Sequence, residues 1–328
     1  MIFLNELYSI LQKSVASQAE GTDRVILQFK QGTSVLFEFT SRTIGDYYEF
    51  VGAVEQIKAY MLQNNLSVFT AFACYYSLDA AGEQTDAMTE LLEVIFYTGM
   101  MRKPDSLSAD VFAANYFLTH CKTGWIAADN DYLLNFYASK IEDFSMVYTL
   151  RDGTTTTRTG SVSSGVGSLI VHYVPDAITV DVKMGSRCFT LYYVDMESVV
   201  LFKFRNVFNA IEYVTIPASV SSSPSTEFET AQMDNIIHRY DIENLLDIKI
   251  EAPAVPNFMY STLLCLCRSH HVQFHDPYTH GGVVYQNYSD VIISEYKLDK
   301  SDKPNTPIAL ELTLQYCDTN RNSAIEFS

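Results

Sequence analysis

The amino-acid sequence predicts a mainly β protein built from two or three antiparallel β-sandwich domains with a few short helices. The length of 328 residues is about twice that of one typical domain, and the 22 Tyr and 20 Phe favour the pleated surface of sheets. Short strand patterns also follow one another without the strand–helix alternation of a doubly wound fold. Breaks in these patterns divide the chain into domains at residues 1–142, 143–198 and 199–328.

The first domain is predicted to open with a helix and to continue as strands. Apolar residues at four-residue steps from Phe3 to Val15 predict an amphipathic helix over residues 1–18. Its apolar face needs a partner, either in its own domain or in a neighbouring subunit. Asp46 and Glu49 resemble a capping box before a second helix of about four turns. Strands are predicted at residues 24–30, 35–39, 67–76, 91–97, 111–119 and 132–138, with a turn at Gln31-Gly32 between the first two.

The small middle domain is predicted from four short strands around a polar stretch. Residues 152–168 are rich in Thr, Ser and Gly, which predicts turns and an exposed loop. From Ile178 to Met184, apolar and polar residues alternate, so one face of that strand is expected to be buried. The four strands are predicted at residues 147–151, 169–174, 178–184 and 188–194.

The third domain is predicted to contain several strands, one helix and two long closing strands. Leu310, Leu312, Leu314 and Tyr316 are expected to face the core, with Glu311 on the opposite face. Residues 219–227 and 276–289 are expected to be exposed loops that make contacts between subunits. The strands are predicted at residues 200–204, 212–218, 227–232, 236–240, 246–251, 291–298 and 307–316, and the helix begins near residue 257, with Tyr260, Leu263, Leu264 and Cys267 on its buried face.

Charge and cysteine usage exclude several classes of protein. The net charge of −17, from 22 basic and 39 acidic residues, argues against a dedicated nucleic-acid surface, which needs clustered Lys and Arg. No run approaches the roughly 18 apolar residues of a membrane span, and residues 1–18 lack the basic start of a secretory signal. We therefore expect synthesis in the cytoplasm, no membrane insertion and reduced cysteines.

A cluster of zinc-competent side chains lies near the predicted C-terminal helix. Cys265 and Cys267 are followed by His270, His271 and His275, with His280 just beyond. Two cysteines two residues apart on a helix point about 200° apart, so both cannot ligate one metal. Core packing is therefore the favoured interpretation, and no metal site is predicted.

Other suggestive motifs lack the context that their chemistry needs. Asp129 and Asp131 lie in a turn without the glycine and distant Glu of a calcium loop, and Gly165 and Gly167 do not open a helix after a strand. His280-Gly281-Gly282 has no nucleophile elbow beside it. The sequence thus predicts no catalytic, cofactor-binding or metal-binding residue, no cofactor and no enzyme activity. Aromatic residues near turns could instead stack on sugars, although packing is favoured: Trp125, Tyr278, Tyr285 and Tyr288.

The segment LFKFRNVFNAIEYVTIPASVSSSPSTEFE, which starts at Leu201, resembles structural proteins encoded in the tail-gene clusters of Bacteroides-type phages and prophages. The similarity continues through MYSTLLCLCRSHHV and the closing pair of strands, and more loosely through FAANYFLTHC and YLLNFYAS upstream. The order of strands, one helix and two long strands also resembles the β-sandwich of tail-tube and distal-tail proteins.

This resemblance implies a structural role in a virion tail. The expected function is that of a distal-tail or baseplate ring protein, a homo-oligomer that contacts other tail proteins and lets DNA pass through its lumen without specific binding. The alternative is a carbohydrate- or receptor-binding module of the tail that uses exposed aromatics such as Trp125 and Tyr278. A third hypothesis is an enzyme that cleaves polysaccharide, which would need two paired carboxylates in a cleft. It is less favoured than the structural role and the carbohydrate-binding role.

Overall fold

The computed structural model describes residues 1–11, 13–14, 21–44, 47–99, 107–119, 121–127, 130–195, 198–233, 236–275, 278–280, 283–285, 288–300 and 306–317. The protein is mainly β, with several sheets and few short helices, which confirms the predicted class. Most neighbouring strands are antiparallel, but two pairs are parallel. Among the described residues, no helix is long and apolar enough to cross a membrane.

The N-terminal unit is a five-stranded sheet packed against two helices. The sheet order is β1-β7-β6-β3-β4, and β1 runs parallel to β7. Its elements are β1 (Ile2–Phe3), α1 (Leu4–Leu11), β2 (Lys13–Ser14), β3 (Arg24–Gln31), β4 (Ser34–Arg42), β5 (Tyr47–Tyr48), α2 (Ala53–Gln63), β6 (Val68–Leu78) and β7 (Thr89–Phe96). The predicted hairpin at Gln31-Gly32 is confirmed, because β3 and β4 pair around it.

Both predicted N-terminal helices begin later and are shorter than expected. The first covers Leu4–Leu11 rather than residues 1–18, and Leu7 and Leu11 are buried in the core of their own unit. Of the two partners considered for the apolar face of this helix, the structure therefore shows the one in its own domain. The second helix starts after Gly52, whose φ of 78° is left-handed, so the expected capping box at Glu49 does not form. Asp46 lies outside the described residues.

The first part of the segment at residues 111–119 is helical rather than the predicted strand. This helix, α3 (Ala109–Asn115), is capped by Ser108, whose hydroxyl accepts a hydrogen bond from the Val111 amide at 3.3 Å. Ala109, Phe112 and Ala113 share its buried face at the spacing of helical turns. A short run of apolar residues fits either structure by pattern alone, and packing decided in favour of the helix.

The middle unit is a sandwich of a five-stranded and a two-stranded sheet. The larger sheet has the order β11-β10-β13-β14-β8, and the smaller one pairs β12 with β9. Val180, Val182 and Leu191 lie in the core between them, whereas Ile178, expected to be buried, is 42% exposed. The strands are β8 (Thr123–Ala127), β9 (Tyr132–Ala138), β10 (Glu142–Leu150), β11 (Thr155–Val162), β12 (Gly165–Val171), β13 (Ala177–Met184) and β14 (Arg187–Val194).

Two predictions about this region are wrong. The boundary placed at residue 142 cuts through one unit, because β8 and β9 pair with β14 and β12 of the middle sandwich. Most of the stretch expected to be a loop, residues 152–168, forms β11 and the start of β12. Thr is favoured in strands, and Gly167 is accommodated in one because a Cβ there would lie 2.5 Å from the Phe136 ring.

The C-terminal unit is one seven-stranded sheet with a helix against its core. The order is β16-β15-β19-β22-β23-β18-β17, and β16 approaches β18 although the two are not bonded, so the sheet curls around a common core. Its elements are β15 (Val199–Arg205), β16 (Ile211–Pro217), β17 (Ser219–Met233), β18 (Ile236–Val255), a 3-10 turn (Asn257–Met259), α4 (Tyr260–Arg268), β19 (Val272–His275), β20 (Tyr278–His280), β21 (Val283–Tyr285), β22 (Tyr288–Asp299) and β23 (Ile308–Tyr316).

The closing strands are confirmed, and both predicted loops are replaced by strands. Leu310, Leu312 and Leu314 are buried, and Glu311 is exposed. Of the predicted buried face of α4, Leu263 is buried, with Thr262 and Leu266 beside it, whereas Tyr260, Leu264 and Cys267 are half-buried. Residues 219–227 belong to β17, and the described part of residues 276–289 contains the β20–β21 hairpin and the start of β22. The two strands expected over residues 236–251 are a single long strand, β18.

Candidate functional site

The segment FRNVFN, from Phe204 to Asn209, lies where the three units meet. It connects β15 to β16 in a tight turn in which the Asn209 amide donates to the Asn206 carbonyl at 2.9 Å. The Asn206 side-chain oxygen accepts from the backbone amides of Phe208 and Ala210 at 2.9 and 3.2 Å. Asparagine suits this turn because its short side chain can bond to the nearby backbone.

A buried carboxylate joins this turn to the middle unit. Glu212 is 4% exposed and accepts hydrogen bonds from the Asn206 amide at 2.9 Å and from the Thr119 hydroxyl at 3.3 Å. The Asn206 amide also donates to the Leu118 carbonyl at 2.7 Å. A carboxylate removed from water needs such donors, so Glu212 holds the strand that carries it against residues 118–119.

Asn209 joins the same turn to the N-terminal unit. Its backbone is left-handed, with a φ of 57°, and its side-chain amide donates to the carbonyls of Met61 and Leu66 at 3.3 and 3.1 Å. Met61 lies in the last turn of α2, where its carbonyl also accepts from the Leu66 amide at 2.8 Å, and Leu66 follows the end of the helix. Asn209 therefore ties the end of α2 and the residues after it to the C-terminal unit.

The apolar side of the junction is formed by Phe208 and α3. Phe208 is fully buried and its ring stacks on Phe112, with 4.5 Å between centroids. On the other side of α3, the Arg187 guanidinium of the middle unit bonds to the Ala113 carbonyl and to Glu142, the latter at 2.6 Å. Arg187 is only 3% exposed. Together these contacts fix α3 between the three units.

The cysteines near the junction are poor nucleophiles. The Cys121 thiol lies 3.1 Å from the Thr262 hydroxyl, and burial raises its pKa to about 12, with the Glu212 charge adding to the effect. Burial likewise raises the pKa of Cys265, and that of Cys267 to about 12. Because the thiolate is the reactive and metal-binding form, these thiols are inert at neutral pH.

The structure does not bring the zinc-competent side chains together. Cys265 and Cys267 are half-buried beside the C-terminal core, His271 lies 3.9 Å from Asp290, and the His275 ring packs near Tyr288 at 5.1 Å. His270 is exposed. Within the described residues, no group of three His, Cys, Asp or Glu side chains could hold a metal ion. The side chain of His280 and residues 281–282 lie outside the described part.

Of the remaining candidate residues, those that the structure describes bond to or pack against neighbouring parts of the fold. Asp131 accepts from the Tyr173 amide at 3.0 Å and lies 2.8 Å from a ring nitrogen of the exposed His172, while Asp129 lies outside the described residues. Trp125 is half-buried against the C-terminal core, so its ring is not a free platform for sugars. Tyr288 is half-buried, with Tyr213 nearby, and the side chains of Tyr278 and Tyr285 are not described.

The junction was only partly visible in the sequence. The FRNVFN segment carried the resemblance to tail proteins, yet no role followed for Asn206, Asn209 or Glu212. The sequence did show side chains that form hydrogen bonds within an otherwise apolar strand–turn–strand pattern. Such side chains, when they are buried, are usually bonded to a partner. Their partners lie up to 148 residues away, so the sequence did not indicate them.

Comparisons with known proteins give no family for this chain. No protein-family description matches it, and no curated protein matches it. Among solved structures, it is similar to the full extracellular region of plexin A4, with 10% sequence identity and a TM-score of 0.18. The match covers 91% of this chain and 36% of the plexin chain, so this chain spans about a third of it. A likeness this weak carries no argument about fold or function.

Proposed function

We propose that this protein is a structural component of a bacteriophage tail, at the distal tail or in the baseplate, that assembles into a homo-oligomeric ring. The observation that carries the proposal is the ribbon formed by β17 and β18. These strands pair from Ser219–Glu251 to Met233–Ile236, but β23 pairs with β18 only between Ile248 and Val255.

The distal part of this ribbon has two open edges. From Ile236 to Leu246, β18 extends beyond its neighbour by roughly 35 Å, at about 3.3 Å per residue, and in the described chain only β17 pairs with it there. A two-stranded ribbon is marginally stable in water without a further partner. We therefore assign the distal ribbon to contacts with a neighbouring subunit.

The sequence resemblance and the surface charge support the same proposal. The matched FRNVFN segment is part of a structural junction, as expected for a protein whose similarity rests on scaffold residues. The chain carries a net charge of −17, and such a surface does not retain the DNA polyanion that passes through a tail. Glu311 on the outer face of β23 contributes to that charge, 3.5 Å from Lys297.

Removing the distal ribbon tests the assembly. A variant that ends the ribbon at the Pro224–Leu246 pair with an Asn-Gly turn should stay folded and lose ring formation, as measured by mass photometry and negative-stain microscopy. As a matched control, Gly32-Thr33 in the β3–β4 turn is replaced by Asn-Gly, which should leave the ring intact. An intact protein that stays monomeric at high concentration and in tail particles would contradict the proposal.

Two neighbouring substitutions in β23 separate assembly from folding. Glu311→Lys should leave the unfolding free energy within about 0.5 kcal/mol, because the side chain is exposed, while perturbing the ring or the passage of DNA. Leu312→Ala should cost about 2–5 kcal/mol, because this side chain is 2% exposed in the core. If the Glu311→Lys variant assembles and delivers DNA normally, β23 neither lines the lumen nor contacts a neighbouring subunit.

A further inference from the structure

The outer face of the five-stranded middle sheet is an array of hydroxyl side chains. Strand register places Thr155, Thr149 and Thr179 in one row across β11, β10 and β13, with Tyr192 of β14 next in line. Three further rows continue the array. The second row contains Thr157, Val147, Asp181, Thr190 and Thr123, the third contains Thr159, Ser145, Lys183 and Cys188, and the fourth contains Ser161 and Asp143.

This face points away from the sandwich core. The alternating residues Met146, Tyr148, Val180 and Val182 fill the core on the other side. Thr155, Thr157, Thr159 and Ser161 are exposed, and the hydroxyls in the middle of the sheet are half-buried. Two carboxylates are oriented by neighbouring hydroxyls, since Ser161 donates to Asp143 and Thr190 to Asp181, both at 2.6 Å.

One end of the array is a shallow cleft. It has a volume of about 540 Å³ and is lined by polar side chains together with Phe144 and two glycines: Asp143, Phe144, Ser145, Thr159, Gly160, Ser161, Lys183 and Gly185. Carboxylate, ammonium and hydroxyl groups therefore converge on one opening. Such a set can accept and donate hydrogen bonds to several hydroxyl groups of one ligand.

The other end of the array carries exposed aromatic rings. Tyr192 is 39% exposed and Phe258, in the 3-10 turn before α4, is 44% exposed. Their ring centroids are 5.6 Å apart with 35° between the planes, so they form one tilted apolar ledge. From Asp143 to Thr149 along β10 is roughly 20 Å at about 3.3 Å per residue, so the cleft and the ledge are separated by the length of a short oligosaccharide.

We propose that this outer face binds an uncharged oligosaccharide, with sugar hydroxyls on the Thr/Ser array and the cleft, and the C–H face of a sugar ring on Tyr192 and Phe258. Asp143 and Asp181 carry two negative charges against the one positive charge of Lys183, and this excess disfavours a polyanionic ligand. A subunit interface is less well matched, since Ser, Asp and Lys are depleted in such interfaces and apolar anchors dominate their centres. The site does not depend on the ring proposed above.

Binding of defined oligosaccharides to the full-length protein tests this site. Cellohexaose, chitohexaose and maltohexaose are titrated by calorimetry and by saturation-transfer NMR. We expect saturable binding of at least one of them, weakened at least tenfold by Tyr192→Ala and by Thr159→Val. Thr159→Val removes only the hydroxyl and keeps a β-branched side chain on an exposed strand, so it should fold even if Tyr192→Ala does not.

Matched controls separate this face from the rest of the surface. Tyr296→Ala removes a tyrosine that is 44% exposed on β22, and Thr70→Val removes an exposed threonine hydroxyl on β6. Neither should change the affinity. Absence of saturable binding by all three sugars would overturn the proposal, and so would binding that Tyr192→Ala and Thr159→Val leave unchanged. Loss of subunit assembly by these variants without sugar binding would identify the face as a protein contact and also overturn it.

Discussion

The junction at FRNVFN and the outer face of the middle sheet use similar polar side chains in opposite ways. At the junction, Asn206 and Asn209 are at most 4% exposed and bond to carbonyls of other units. On the outer face, Thr157 and Thr159 are exposed. Buried polar groups must be paired, so they specify one arrangement of the units, whereas exposed hydroxyls can exchange water for a ligand.

The contrast separates polar residues that contribute to stability from those that are available for binding. Removing one partner of a buried hydrogen bond leaves a donor or acceptor unsatisfied, whereas removing an exposed hydroxyl returns its neighbours to water. The junction should therefore be sensitive to every substitution, and the outer face should tolerate substitution in stability while losing its proposed ligand.

The largest expected effect is at the apolar side of the junction. Phe208→Ala should lower the unfolding free energy by about 3–5 kcal/mol, because a fully buried ring stacked on Phe112 leaves a cavity. Denaturant unfolding followed by circular dichroism measures the change. Phe258→Ala, which removes a ring that is 44% exposed, is the control and should cost much less. Equal costs for the two would show that Phe208 does not hold the units together.

The polar side of the junction should respond next. Asn206→Ala should cost about 1–3 kcal/mol, because Glu212 and two backbone amides lose a partner that water cannot replace at a buried site. Asn115→Ala serves as the control, since its exposed amide donates to the Val111 carbonyl of its own helix. A harmless Asn206→Ala, measured by the same unfolding assay, would mean that water enters the junction.

Thiol reactivity distinguishes buried from exposed surface without any mutation. Burial raises the pKa of Cys121 and of Cys267 to about 12, so both remain protonated at pH 8 and form thiolate only as the pH approaches 12. Iodoacetamide at pH 8 should label the exposed Cys188 first, as read by mass spectrometry. Labelling in denaturant should reach all three. Rapid labelling of native Cys121 would show that the junction opens.

The smallest expected effect is on the outer face. Thr157→Ala should change the unfolding free energy by no more than about 0.5 kcal/mol, because the side chain is exposed on the edge strand β11. Thermal unfolding measures the difference from the unsubstituted protein. A cost above about 1 kcal/mol would indicate that this face packs against another part of the protein or another subunit.

The elements that were predicted correctly are those whose burial follows from side-chain patterns within a few residues. Alternation predicted the β3–β4 hairpin and the inward set of Leu310, Leu312 and Leu314, because residues two apart in a strand share a face. The net charge, the lack of clustered Lys and Arg in the sequence and the mainly β class likewise followed from the sequence. These properties depend on composition and on neighbours within a few positions.

The sequence patterns did not indicate which strands share a sheet or which partners bond to the polar residues of the junction, and the folded structure shows both. The pairing of β8 with β14 moves the predicted boundary at residue 142, and the helix at Ala109–Asn115 exists because Phe112 packs against Phe208. Thr119 meets Glu212 across 93 residues of sequence. Contacts at that separation leave no periodic trace in the chain, since they depend on how the folded units pack and not on local preference.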